Sequence, residues 1–101
     1  MYEVTKTSDR TTQDGVRIIC ADTCNSVCSR QVAVAVKDGV IVDCAFNGGC
    51  SGNTQGVARL VKGMSVDEAI ARLDGILCGN RGTSCPDQLA RTLRLFSENQ
   101  N

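Results

Sequence analysis

Histidine is absent from this 101-residue chain. With no imidazole there is no ordinary neutral-pH base and no nitrogen ligand of the commonest kind. A transition metal bound here is held mainly by sulfur, which favours zinc, an iron–sulfur cluster or copper(I). Tryptophan is also absent, and the aromatic residues are Tyr2, Phe46 and Phe96 alone. The core is therefore expected to be built from Val, Ile, Leu and Ala. No apolar run approaches the roughly 20 residues of a membrane helix, and Met1–Thr12 lacks the apolar centre of a secretory signal. A cytoplasmic protein with no membrane partner is expected. Eleven basic residues balance eleven acidic ones, so there is no electrostatic grip for nucleic acid, and none is expected as partner. There is no glycine-rich phosphate loop ending in lysine, no nucleophile-elbow serine, and no Cys-x-x-Cys knuckle.

What the chain does have is cysteine: seven, an odd number and a high one for a reducing compartment. In a secreted domain such a count reads as a disulfide framework; in the cytosol, metal or redox chemistry is the better reading. Four of the seven, Cys28, Cys50, Cys78 and Cys85, fall at expected turns and helix starts. Gly48-Gly49-Cys50-Ser51-Gly52-Asn53, Leu77-Cys78-Gly79-Asn80 and Thr83-Ser84-Cys85-Pro86-Asp87 carry three of them. Glycine and asparagine turns let backbone amides approach an anion or a cluster sulfide. Cys44 reads as a small buried hydrophobe in a strand, as does Cys20, and Cys24 as a solvated loop thiol.

The length gives one domain, residues 1–101, with an irregular polar segment at 1–15 and a frayed tail at 97–101. An edge strand through Tyr2 and Val4 is expected, then a loop over Ser8–Gly15. Val16–Cys20 reads as a short strand. Val32, Val34 and Val36 alternate with small residues, Asp38-Gly39 supplies a tight turn, and Val40–Phe46 returns, which together spell a hairpin. A bulge near Val42-Asp43 would turn Asp43 outward and bring Cys44 and Phe46 in. From Asn53 the period becomes helical, with Val57, Leu60, Val61 and Met64 on one face and Gly63 as terminator. Ser65–Glu68 is a capping box opening a helix whose stripe is Val66, Ile70 and Leu73, ended by Gly75. The last helix is expected to begin at Pro86, with Leu89, Ala90, Leu93 and Phe96 buried and Arg91 and Arg94 in water. The fold class is α+β: a three-stranded antiparallel sheet covered on one face by about three helices.

With Pro86 as first helical residue, Cys85 becomes the N-cap, where free amides and the positive helix end stabilise a thiolate. Cys50, just before the helix near Asn53, sits in a similar field. A lowered thiol pKa serves metal ligation and nucleophilic attack equally, so placement alone leaves both open.

Thr83-Ser84-Cys85-Pro86-Asp87 spells the TSCPD motif, and the chain resembles stand-alone TSCPD-domain proteins from about Cys28 to Leu95. Cys28-Ser29-Arg30, Asp38-Gly39, Gly48-Gly49-Cys50, Gly52-Asn53, Leu60–Met64 and Cys78-Gly79-Asn80 carry the likeness with the motif. The family's recurrent cysteines fall on Cys28, Cys50, Cys78 and Cys85. Similar domains end adenosylcobalamin-dependent ribonucleotide reductases, whose barrel this chain is too short to hold. An accessory role beside such a reductase is thereby implied. A second resemblance is to iron–sulfur scaffold proteins of the IscU and NifU N-terminal type. It rests on Cys28 before the hairpin, Gly49-Cys50 after it, Val61-Lys62-Gly63, the capped helix Ser65–Leu73, and Cys85. It implies the scaffold fold and an iron–sulfur assembly partner. Arg30 stands where the scaffolds have aspartate and Ser84 where they have histidine, while Cys78 could complete a four-thiolate set. These likenesses imply a metal-binding domain with Cys28, Cys50, Cys78 and Cys85 as ligands of zinc or an iron–sulfur cluster. Arg30, Gly49, Gly52, Asn53, Gly79, Asn80, Pro86 and Asp87 would support the site. Two other readings stay open: a thiol relay through Cys78 and Cys85, and a nucleotide-binding accessory module. In the first reading the chain is not an enzyme by itself.

Overall fold

A computed structural model describes residues 3–24, 29–48, 51–76 and 82–98. Four antiparallel strands, β1 (Thr5–Thr11), β2 (Arg17–Asp22), β3 (Ser29–Lys37) and β4 (Val40–Gly48), lie side by side in chain order. Helices α1 (Ser51–Val61), α2 (Val66–Leu73) and α3 (Cys85–Glu98) follow. The class is α+β as expected, but the sheet has four strands, not three.

The added strand is β1, which takes up residues expected as a loop. All seven of its residues are exposed, so it shows no inward and outward alternation. Thr5, Thr7 and Thr11 supply β-branched stiffness without apolarity. A five-residue connection closes the hairpin: Thr12 exchanges backbone bonds with Val16 and Gly15, and Gly15 adopts φ 83°. Arg17 then grips Asp9 through two bonds of 2.9 and 2.7 Å. Val4 packs on the core before the strand begins, and Tyr2 lies outside the described residues.

The β3–β4 hairpin turns on Asp38 and Gly39, at φ 53° and 77°, a conformation that matches the strand twist. The register shifts from Val36↔Ile41 to Ala35↔Asp43. That one-residue bulge exposes Asp43 and sends Cys44 inward, to 7% exposure, as the alternation required.

Helices α1 and α3 pack on one face of the sheet, and α2 packs against α3. Ile19, Val32, Val34 and Ile41 meet Val61, Ala69, Leu89 and Leu93 in a shared core. On α1 the buried stripe is Thr54, Ala58 and Val61, not the expected set with Leu60, which is 72% exposed. Small residues at 54 and 58 let the helix lie close to β4, and Leu60 falls off that stripe. Gly63, at φ 92°, turns the chain so that residues 63–65 run beside the start of β4. There Gly63 and Met64 exchange backbone bonds with Ile41. On α2 the Ser65 hydroxyl accepts from the Glu68 amide, while the Glu68 carboxylate is held by Arg72. No helix among the described residues is long and apolar enough to cross a membrane.

Candidate metal centre

The direction of α3 sets the geometry. Near its C-terminal end, the Phe96 carbonyl accepts from Arg17 at the start of β2 (3.3 Å). Near its beginning, the Gln88 side chain accepts from the Cys24 amide just past the end of β2 (2.9 Å). Helix and strand therefore run in opposite senses, and α3 starts where β2 ends and β3 begins. Ser29 and Gly48 are register partners, so β4 ends there too. The far end of α1 is followed by Gly63, bonded to Ile41 near the start of β4, which places the start of α1 at the same end. Two helix N-termini thus share one end of the domain.

At that end the motif residues are mostly occupied in holding chain segments together. Ser84 is the N-cap of α3. Its carbonyl accepts from Gln88, and its hydroxyl accepts from the Asp87 amide and donates to the Ile76 carbonyl. This corrects the expectation for Cys85, which is the first helical residue and not the cap. Pro86 moves to the second position, where a missing amide proton still costs nothing.

Asp87 is 2% exposed and accepts from the Thr83 hydroxyl (2.6 Å), the Gly75 amide (2.8 Å) and the Arg91 guanidinium (3.1 Å). Burial alone would raise its pKa, but these donors outweigh it and hold the carboxyl below its ordinary range. Gln88, fully buried, donates to Thr83 at 3.0 Å while gripping Cys24. Arg91 is thereby drawn half out of the water expected for it, and Arg94 reaches Asp74 at 2.7 Å.

Of the four expected ligands, Cys85 is placed: buried, at the first position of α3. Cys28, Cys50 and Cys78 lie outside the described residues, as do Gly49, Gly79 and Asn80. Described residues stand on either side of each in the sequence. Cys28 falls between Cys24, held by Gln88, and Ser29. Cys50 falls between Gly48 and Ser51, at the close of β4 and the start of α1. Cys78 falls between Ile76 and Ser84, which are bonded to each other. Gly52 and Asn53 are already inside the first turn of α1, not in a loop before it, and Arg30 is exposed on β3. Cys44 is buried as expected; burial first, then the neighbouring Asp43 charge, pushes its thiol up to about 12. Cys20 is half-buried on the open face of the sheet. Among the described residues no group of three or more acidic or cysteine side chains gathers as a metal site.

Sequence reasoning missed Thr83 and Gln88 as structural residues. The signal available was the spacing of Ser84 and Asp87, a cap pattern like that of Ser65 and Glu68.

With the motif placed on the N-terminus of a helix, the family can be assigned. The TSCPD-domain profile matches residues 3–97. The chain belongs to the TSCPD-domain family. No curated protein and no solved structure matches it. Within this TSCPD domain, the threonine, serine and aspartate of the motif build and brace the start of α3.

Proposed function

We propose that this TSCPD domain binds a metal centre, zinc or an iron–sulfur cluster, through Cys28, Cys50, Cys78 and Cys85. One observation carries the reading: described residues on either side of the cysteine-bearing segments are tied to the start of α3 or to one another at the end of the domain where Cys85 opens that helix. Cys24 is bonded to Gln88, Ile76 to Ser84, Gly75 to Asp87, and Ser29 is paired with Gly48. The donor set fits the chemistry. Thiolates suit zinc and iron–sulfur clusters, and the absence of histidine leaves no competing nitrogen. A four-thiolate site carries excess negative charge, which the positive ends of two helices at this end of the domain would offset. Arg30, one residue into β3, adds a cation at the same end. A closed four-sulfur site suits stable binding better than cluster handover.

Such a domain would work in a reducing compartment such as the cytoplasm, beside an adenosylcobalamin-dependent ribonucleotide reductase or an iron–sulfur assembly protein. The test is elemental and acid-labile sulfide analysis of untagged protein purified without oxygen. Near-stoichiometric metal is expected, largely lost in Cys85→Ser and retained in Cys44→Ser. Equal loss in both variants would undo the ligand assignment. Metal-free, folded protein that forms a Cys78–Cys85 disulfide would replace this reading with the thiol relay.

A further inference from the structure

Strand β4 is an edge of the sheet, and among the described residues only part of that edge is covered. Residues 63–65 run antiparallel beside its first residues: Ile41 donates to Met64 and accepts from Gly63, at 2.9 and 2.8 Å, and Val40 bridges Ser65. Ile41 therefore points its backbone groups away from β3. In an antiparallel ladder such outward residues alternate. Past the bulge, the register Val34↔Cys44, Ala33↔Ala45, Val32↔Phe46 makes Cys44 and Phe46 the next outward pair. The Cys44 amide has found a local acceptor, the carboxylate of Asp43 beside it, at 2.9 Å. An acidic oxygen thus already occupies the place a neighbouring strand's carbonyl would take.

Beyond this edge is a groove of about 290 Å³ whose other wall is α1. Gln55, Arg59 and Lys62 line that wall, and their i, i+4, i+7 spacing puts them on one helix face. The wall is basic. Arg59 is exposed and makes no ion pair among the described residues. Lys62 has only a long 3.8 Å contact to Asp43, with both side chains more than half exposed. On the other side of the strand plane, Val42 is 42% exposed.

We propose that residues 43–47 of the β4 edge, the part no described segment covers, together with α1, form a docking groove for an extended acidic segment of a partner protein. The segment adds as a further strand continuing the line of residues 63–65. Main-chain bonds to Phe46 and to the Cys44 carbonyl supply the pairing, an incoming carbonyl displacing the Asp43 carboxylate from the Cys44 amide, and alternate side chains supply the specificity. Those turned toward α1 meet Arg59 and Lys62 and carry carboxylates; those turned the other way lie beside Val42 and Ala45 and are β-branched. A second copy of this chain is the poorer occupant. Its other edge, β1, carries Lys6 and Arg10 against a single acid, Asp9, and like charges would face each other.

The test titrates isotope-labelled full-length protein with a capped heptapeptide alternating valine and glutamate, and separately with its valine–lysine counterpart. Amide shifts confined to residues 43–47 and 55–62 are expected with the glutamate peptide, at a dissociation constant of about 1 mM or tighter. The lysine peptide should bind at least about tenfold more weakly, and Arg59→Glu, at an exposed site, should reverse the preference. Slowed hydrogen exchange at the Phe46 amide would mark strand pairing as the mode. Equal binding of the two peptides, shifts centred on β1, no shift up to several millimolar, or a concentration-dependent dimer that Arg59→Glu dissolves would each overturn the proposal.

Discussion

Asp87 joins three parts of the chain through one carboxylate. Its donors are the Thr83 hydroxyl before α3, the Gly75 amide after α2, and Arg91 one turn along its own helix. Truncating it leaves buried donors without an acceptor, a far larger loss than one surface hydrogen bond. Asp87→Ala should therefore lower stability by about 3 kcal/mol, read as a shift of the urea midpoint at unchanged slope. Asp87 could be selected from the sequence as a supporting residue of the candidate site. Its partners could not, because Gly75 is twelve positions away and nothing in a glycine announces which acceptor its amide will meet. Gln88 is a similar case: a polar residue between Asp87 and Leu89, fully buried because Thr83 and the Cys24 backbone satisfy its amide at both ends.

For the elements, pattern served well where one face is buried and poorly where neither is. The β3–β4 hairpin, with its bulge, follows from valine alternation and an Asp-Gly turn, since a one-residue slip would bury Asp43. The buried residues of α3 recur as the helical period requires. β1 escaped because an all-exposed strand carries no hydrophobic period; it is held by its ladder to β2 and by the Asp9–Arg17 pair. On α1, two stripes compete on paper, and the one with smaller residues wins by close packing against β4. That choice has a measurable consequence. Leu93→Ala, at a fully buried site, should cost about 3 kcal/mol. Leu60→Ala should stay within about 0.5 kcal/mol, and comparable costs from thermal or urea unfolding would contradict the assigned face.

The molecule as a whole is braced at opposite ends of α3 by two carboxylates. At one end Asp87 secures the candidate site. At the other, Arg17 takes Asp9 in a two-bond grip, donates to the Phe96 carbonyl and lies 5.5 Å from the centre of the Phe96 ring, so β1, β2 and α3 meet at one guanidinium. The hydrogen bonds from Arg17, chiefly, hold the Asp9 carboxyl down to about 2, and the donors around Asp87 hold that group low as well. Both folded-state values lie below the ordinary aspartate value near 4. Their stabilisation is therefore complete above that value and falls away below it, that of Asp9 being lost as pH falls toward about 2. Urea midpoints should be level from pH 7 to about 5 and then drop. Asp87→Asn should flatten the drop in part, and the double change with Asp9→Asn should flatten it further. A midpoint independent of pH over that range would contradict both assignments.

The sequence by itself determined the α+β class, the central hairpin and its bulge, the three helices and the family, because each depends on local period, turn chemistry or a contiguous motif. It also singled out Cys85 at a helix start and Cys44 as a buried thiol. What only the tertiary structure decided is who meets whom. The ties of Asp87 to Gly75, of Ser84 to Ile76 and of Gln88 to Cys24, and the gathering of element ends around the start of α3, join residues that no local pattern connects. The physical reason is that hydrogen bonds between backbone groups and buried polar side chains leave no periodic trace. They form wherever packing of the apolar faces brings donor and acceptor together, and that packing exists only in the folded chain.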